Sequence, residues 1–297
     1  MQPDLKYMIG LPPERAIKYL KDKGYEFSWD WEEIWQEAHK KAFTVAKVMR
    51  KDILDDIRQI VEKSMEEGLT FQQFKKELEP RLKNKGWWGV ISGTPDEVRD
   101  ELIKRKLIKD KSLIPDGDEP ITVQLGSPYR LKTIYRTNIQ TAYMAGRYKE
   151  QADNVENRPY WQYVAVMDRR TRPAHAQLNG SVFRYDDPFW DSFYPPNGWG
   201  CRCRVRALSD ENLKDRDLGV DLSNGQLSQE MRLVSKKRID GRGWRDGSAD
   251  PQRRLLPSTK QIGELKPVTV YTDPLTEHKI APDVGWSYNP GTEFRVE

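Results

Sequence analysis

The sequence predicts an α+β protein: a helical amino-terminal domain over residues 1–115, a small α+β domain over residues 121–210, and an irregular polar tail over residues 211–297 with short strands. Three observations lead there. Apolar residues recur at steps of three and four from Ile34 to Met65, the period of one helix face. From Trp161 the texture changes to short aromatic and β-branched segments, WQYVAVM, SVFRY and CRCRVRAL, separated by clusters of Pro, Gly, Asn and Asp. Beyond Asp210 the chain is polar, with a basic stretch from Lys236 to Arg254 and a Pro-punctuated end.

The first helix follows Leu11-Pro12-Pro13 and carries Ile17 and Leu20 as far as Gly24, because Pro suits a first turn and Gly the position past a last one. Asp30 with Glu33 resembles a capping box. Ile34, Ala38, Ala42, Val45, Met49, Ile53, Ile57 and Ile60 then share one face up to Met65 and the stop at Gly68, which predicts a single helix on the order of 50 Å long. Thr70 with Gln73 starts the next helix, whose Phe71, Phe74, Leu78 and Leu82 pack back on the long one, so the region from Asp30 to Gly86 reads as a helical hairpin. Another helix is expected from Asp96 to Lys109, and a loop from Pro115 to Pro120 marks the domain boundary. Ser127 as N-cap and Pro128 in the first turn open a helix with Leu131, Ile134, Ile139, Ala142 and Ala145 on its buried face. The three short segments of the second domain are expected as strands, with further strands around Val268 to Tyr271.

Composition narrows the function. The 50 Lys and Arg against 46 Asp and Glu leave a mildly basic +4, and 37% apolar residues with 10 Trp, 13 Tyr and 8 Phe suffice for real cores, which argues against a disordered chain. No apolar run approaches the roughly 20 residues that cross a bilayer, and the amino terminus lacks the apolar region of a secretory signal, so an intracellular protein without a membrane partner is expected. With only Cys201 and Cys203, one residue apart, no disulfide framework is expected.

The chemistry concentrates between Met167 and Leu208. If CRCRVRAL is a strand, Cys201, Cys203, Val205 and Ala207 face one way and Arg202, Arg204 and Arg206 the other, which points both thiols inward about 6 to 7 Å apart along the strand. A slightly bent strand could offer both thiolates to one metal, with His175 and Asp168 supplying a nitrogen and an oxygen: a candidate structural zinc site. The spacing of one residue is shorter than the usual two to four. The same residues therefore also read as two small buried hydrophobes beside a hydrogen-bonded histidine, or as a reversible disulfide. Of the three histidines, His39, His175 and His278, only His175 has such neighbours. Asp168, His175 and Cys203 make a weak case for a cysteine-nucleophile triad, and the chain has no G-x-S-x-G, H-E-x-x-H or phosphate-loop motif, so no enzyme is expected. Arg169, Arg170, Arg172, Arg202, Arg204 and Arg206 crowd the same small domain. They could contact DNA phosphates or an acidic partner, or pair internally with Asp168, Asp186, Asp187 and Asp191.

The series D-x-R-T-R-x-x-H-x-x-L-N-G from Asp168 to Gly180, followed by P-P-N-G-W-G-C-R-C from Pro195 to Cys203, resembles the Mu F-like family of phage head morphogenesis, or minor head, proteins. The helix RLKTIYRTNIQTAYMAGRY and the block from LPPERAIKYLKDKGYEFSWDW to LEPRLKNKGWWG resemble its Mu-type branch, so the likeness covers most of the chain. Related members carry C-x-x-C in place of Arg172 to His175 and a His-Pro-Asn before the final C-R-C; here Arg172 replaces one of those cysteines and Asn197-Gly198 stands in the other context. The resemblance implies a minor head protein of a tailed phage or prophage, acting in procapsid assembly with the portal and with capsid or scaffold protein, and in contact with packaged DNA. It would be found in the virion head, and in host cytoplasm during assembly. Two alternatives stay open: an intracellular enzyme or toxin-associated module, and a nucleic-acid-binding module with no assembly role.

Overall fold

A computed structural model describes residues 13–31, 33, 38–114, 116–237 and 262–292 of the α+β chain. The first half of the chain forms α1 (Pro13–Lys21), β1 (Gly24–Tyr25), α2 (Ala38–Lys41), β2 (Ala42–Phe43), α3 (Lys51–Glu67), α4 (Phe71–Asn84), β3 (Val90–Gly93), α5 (Pro95–Lys104) and β4 (Ile121–Gln124), and α1, β2, α3, α4, β3, α5 and β4 supply residues to the first hydrophobic core. The single 50 Å helix does not form; α3 keeps only its second half. Gly24 and Tyr25 pair in parallel with Ala42 and Phe43, and Lys47 takes a left-handed φ of 63°. The amide of Lys47 donates to the carbonyls of Ser28 and Trp29. The carbonyl of Lys47 accepts the Trp87 indole at 2.7 Å and that of Ala46 accepts Arg130 at 2.6 Å. Tertiary partners thus satisfy backbone groups that a continuous helix would have paired within itself. Val45 and Val48 are still buried, but from an irregular segment. Ile34 lies outside the described residues. Asp30 and Glu33 make a local turn, the Glu33 carboxylate accepting the amides of Trp29 and Asp30 at 2.8 and 3.2 Å.

The hairpin of α3 and α4 forms where the sequence signals it. Gly68, at φ 66°, ends α3 with its amide on the Ser64 carbonyl, and Thr70 with Gln73 makes a complete capping box. Ile53, Ile57 and Val61 are buried in one cluster with Phe74, Leu78 and Leu82. A capping box at Thr94 and Glu97 opens α5, which stops at Lys104 rather than Lys109, with Lys106 at a left-handed φ of 57°. Residues 116–120, where the sequence places a boundary, lie between β3 and β4, which pair antiparallel from Val90↔Gln124 to Gly93↔Ile121. The first core continues past them to Ala145.

Helix α6 (Pro128–Ala152), capped by Ser127, serves both cores. Leu131, Ile134, Tyr135, Ile139 and Ala142 enter the first, and Met144 and Tyr148 pack into the second. The second core holds β5 (Tyr160–Val164), α7 (Pro173–Gln177), β6 (Val182–Arg184), α8 (Phe189–Phe193), β7 (Arg204–Leu208) and the short α9 (Asp210–Asp215) beside β7. Strand order is β6-β5-β7, antiparallel, with Val164 opposite Arg204 and Tyr160 opposite Leu208. Aromatic packing dominates here: Phe189 stacks on Phe183 at 4.1 Å and on Phe193 at 4.6 Å between ring centroids.

The tail forms a second three-stranded sheet, with β9 (Ile262–Thr272) between β8 (Leu227–Lys237) and β10 (Lys279–Ile280). Its strands of 11 residues exceed the short ones expected, and Tyr271 and Ile280 join the second core. Most of the basic stretch from Lys236 to Arg254 lies outside the described residues. No described helix is long and apolar enough to cross a membrane.

Candidate functional site

The motif residues each have a local task. The Asp168 carboxylate accepts the Arg170 amide at 2.9 Å and shapes the loop after β5. Pro173 opens α7, which presents His175 inward. Asn179 accepts the Ala165 amide at 2.9 Å while the Gly180 amide donates to the Tyr163 carbonyl, so Leu178-Asn179-Gly180 fastens the turn to β5. Asn197 is buried; its side-chain oxygen accepts the Tyr163 hydroxyl at 2.9 Å and its backbone carbonyl accepts the Asp283 amide at 2.9 Å. At Gly198 a Cβ would collide with the Asp283 carboxylate, so a side chain there would have to displace it. Cys201 and Cys203 sit just before β7 rather than in it, because the ladder with β5 begins at Arg204. The strand-like alternation of buried and half-buried residues nevertheless runs back through both cysteines.

His175, Cys201 and Cys203 converge, all three buried. The His175 Nδ1 lies 3.7 Å from the Cys201 sulfur and 3.5 Å from that of Cys203, and the three donor atoms all lie within 4.8 Å of one another. Zinc bonds of about 2.3 Å to sulfur and about 2.0 Å to nitrogen, at a tetrahedral angle, separate the donors by about 3.6 Å. Both histidine–sulfur separations match that spacing. Asp168 is not a member: both its oxygens bind Arg202, at 2.7 and 2.6 Å, and those bonds hold its carboxyl well below the usual range. Burial pushes the Cys201 thiol up. The hydrogen bond from Cys201, helped by Tyr163 and Arg202, holds Cys203 below the ordinary thiol value, so Cys203 is the more readily ionised of the two. The Nε2 of His175 is buried and finds no hydrogen-bond partner among the described residues. Among the described residues no carboxylate orients the imidazole as a catalytic triad requires.

The arginines divide into two sets. Arg202 is held by Asp168; Arg172 is held by Asp283 at 3.0 Å and the Trp199 carbonyl at 2.8 Å; Arg170 leans on Asp168 at 3.5 Å. Arg169 is exposed. Arg204 and Arg206, by contrast, line a cleft against α6 together with Arg147, Glu150 and Gln151. Sequence reading named Asn197 only as part of its motif and assigned no role to Tyr163, whose hydroxyl donates to Asn197 and whose phenol interacts with Cys203, or to Arg147 on α6. The pattern P-P-N-G held the signal for Asn197; nothing local marked Arg147.

The chain is 42% identical over 290 residues to the "Putative capsid assembly protein F" of Escherichia phage Mu, covering 97% of this chain and 56% of that protein. It is 39% identical over 265 residues to the "Mu-like prophage FluMu F protein" of Haemophilus influenzae, covering 89% of this chain and 53% of that one. The chain thus spans about half the length of these curated relatives. No solved structure matches it. The family model described as "Phage Mu protein F like protein" matches residues 55–206, which take in most of α3, the shared helix α6 and the whole Asp168 to Cys203 motif series, and the chain belongs to that family.

Proposed function

We propose that this protein is a minor head component of a Mu-like phage or prophage, acting in procapsid assembly at the portal and the inner face of the capsid, with a structural rather than a catalytic role. The observation that carries this reading is the 42% identity, over nearly the whole chain, to a protein named for capsid assembly. Portal, capsid or scaffold protein and packaged DNA are its proposed partners; exposed or half-buried arginines of the second core support the DNA contact. Procapsids purified from a strain expressing a tagged copy test it. The protein should co-purify with them, and its deletion should reduce head yield. Its absence from procapsids, with normal heads after deletion, would overturn the assembly reading and favour a free nucleic-acid-binding module.

His175, Cys201 and Cys203 are proposed to hold a structural zinc ion, which would cross-link α7 to the lead-in of β7; the histidine–sulfur spacing and the burial of all three donors support it. The fourth position has no donor among the described His, Cys, Asp and Glu residues. Elemental analysis of the purified protein should find about one zinc per chain, and chelation should lower the melting midpoint. Metal-free protein with an unchanged midpoint would leave the cysteines as small buried hydrophobes.

A further inference from the structure

Strand β7 is an edge of its sheet, so carbonyls on its outer side need partners. Helix α6 supplies them: Gln140 donates to the Cys203 carbonyl at 3.1 Å, and Gln151 and Arg147 donate to the Val205 carbonyl at 3.1 and 3.4 Å. The seam closed in this way leaves a cleft of about 300 Å³ lined by Arg147, Glu150, Gln151, Arg204 and Arg206. Burial, and after it the charges of Arg216 and Arg204, lower the Arg206 pKa.

These guanidiniums differ from four other arginines of the second core. Arg170, Arg172, Arg184 and Arg202 each pair with a carboxylate. Among the described residues Arg147, Arg204, Arg206 and Arg216 form no ion pair, and Glu150, the one acid in the cleft wall, accepts no hydrogen bond from them. Like charges crowded into a half-buried cleft raise the energy of the free protein, and an anion that enters relieves it. Guanidinium donors arriving from a helix and a strand surround the cleft from two sides, which suits a tetrahedral oxyanion with several acceptor oxygens better than a planar carboxylate.

We infer that the cleft between α6 and β7 is a phosphate-binding site, in which Arg147, Arg204 and Arg206 receive the oxyanion of a phosphate group. The ligand class is a phosphodiester of a nucleic-acid strand, which rests on the DNA contact proposed above, or a free phosphate or pyrophosphate. Arg202 and Arg172 are excluded from it because their donors are already spent within the chain.

Fluorescence anisotropy of the full chain with a labelled single-stranded oligonucleotide, and calorimetry with inorganic pyrophosphate, test the site. Arg204→Gln with Arg206→Gln should weaken binding at least tenfold and flatten the salt dependence, each lost contact removing about 0.7 from the logarithmic slope for a single strand. Glu150→Gln should tighten binding. Lys104→Gln with Lys109→Gln, two exposed lysines remote in sequence, removes the same net charge and should change affinity less than twofold. Strand binding that depends on the arginine pair assigns the polymeric ligand. Pyrophosphate binding with the same dependence, but no strand binding, assigns free phosphate and removes the DNA contact while the cleft stands. Strand binding weakened equally by the lysine pair overturns the cleft and leaves a diffuse DNA contact. Binding of neither probe, or stronger binding of a poly-glutamate peptide than of both, overturns it as well.

Discussion

Lys23 shows how one side chain can make stability depend on pH. It is nine-tenths buried; its Nζ lies 4.7 Å from the centre of the Tyr19 ring and donates to the His39 carbonyl at 2.6 Å. The Arg58 guanidinium is close by, binding the carbonyls of Leu20, Lys21 and Lys23 where α1 ends. Burial, with Arg58 as the second cause, lowers the lysine pKa to about 7 from 10.5. The folded lysine releases its proton near 7 while the unfolded one keeps it to 10.5, so the unfolded chain binds more protons in between and this group's contribution to stability rises with pH across that window. Below about 7 the cost of the buried charge is fully present. Above about 10 the trend reverses, because burial pushes Tyr135 and Tyr271 up to about 12 and their unfolded forms ionise first. Urea denaturation between pH 7 and 9 should therefore show a rise in stability that Lys23→Met flattens. Parallel curves for the two proteins would show that Lys23 keeps its charge.

Among the elements, α3 offers two separable tests. Ile53 is 1% exposed and belongs to the first core, so Ile53→Asp should cost about 3–5 kcal/mol by placing an unpaired charge there. Met49, on the same face of the expected long helix, is only half-buried on the irregular segment before α3, and Met49→Asp should cost clearly less. Equal costs would restore a continuous helix. Gly68 ends α3 in a left-handed conformation with open space around a built Cβ, so Gly68→Ala should cost about 1 kcal/mol through the backbone alone. The shift in denaturant midpoint at unchanged slope reads both effects.

At the scale of the molecule, the tail completes the second core. Tyr271 of β9 is 4% exposed and its ring lies 5.3 Å from Phe189 and 5.8 Å from Phe183. Ser192 of α8 donates to Thr269 at 2.9 Å, and the buried Asn289 donates to the Trp190 carbonyl at 3.1 Å. Tyr271→Ala should then cost about 3–5 kcal/mol and shift the melting seen by tryptophan fluorescence, since Trp161 and Trp190 share that cluster. An unchanged midpoint would make the tail an independent appendage. Helix α6 joins the two cores, so packing changes on either of its faces should be felt on the other.

Local chemistry was readable wherever a few neighbouring residues suffice. The capping box at Thr70, the stop at Gly68, the start at Ser127-Pro128 and the inward alternation of Cys201 and Cys203 all follow from backbone groups that must be paired nearby and from the periods of helix and strand. The meeting of His175 with both thiols was legible too, because a short loop and a sheet edge left them little else to face. Tertiary structure alone decided the rest. Residues 42–50 carry a helical period, yet pairing with β1 and hydrogen bonds from Trp87 and Arg130 cost less than leaving those partners unsatisfied in the core. Asp168 has the chemistry of a metal ligand, but Arg202 reaches it first. Arg204 and Arg206 became a cleft rather than an exposed stripe because α6, some 60 residues earlier in the chain, packs along the free edge of β7, and no local pattern records which helix covers which edge.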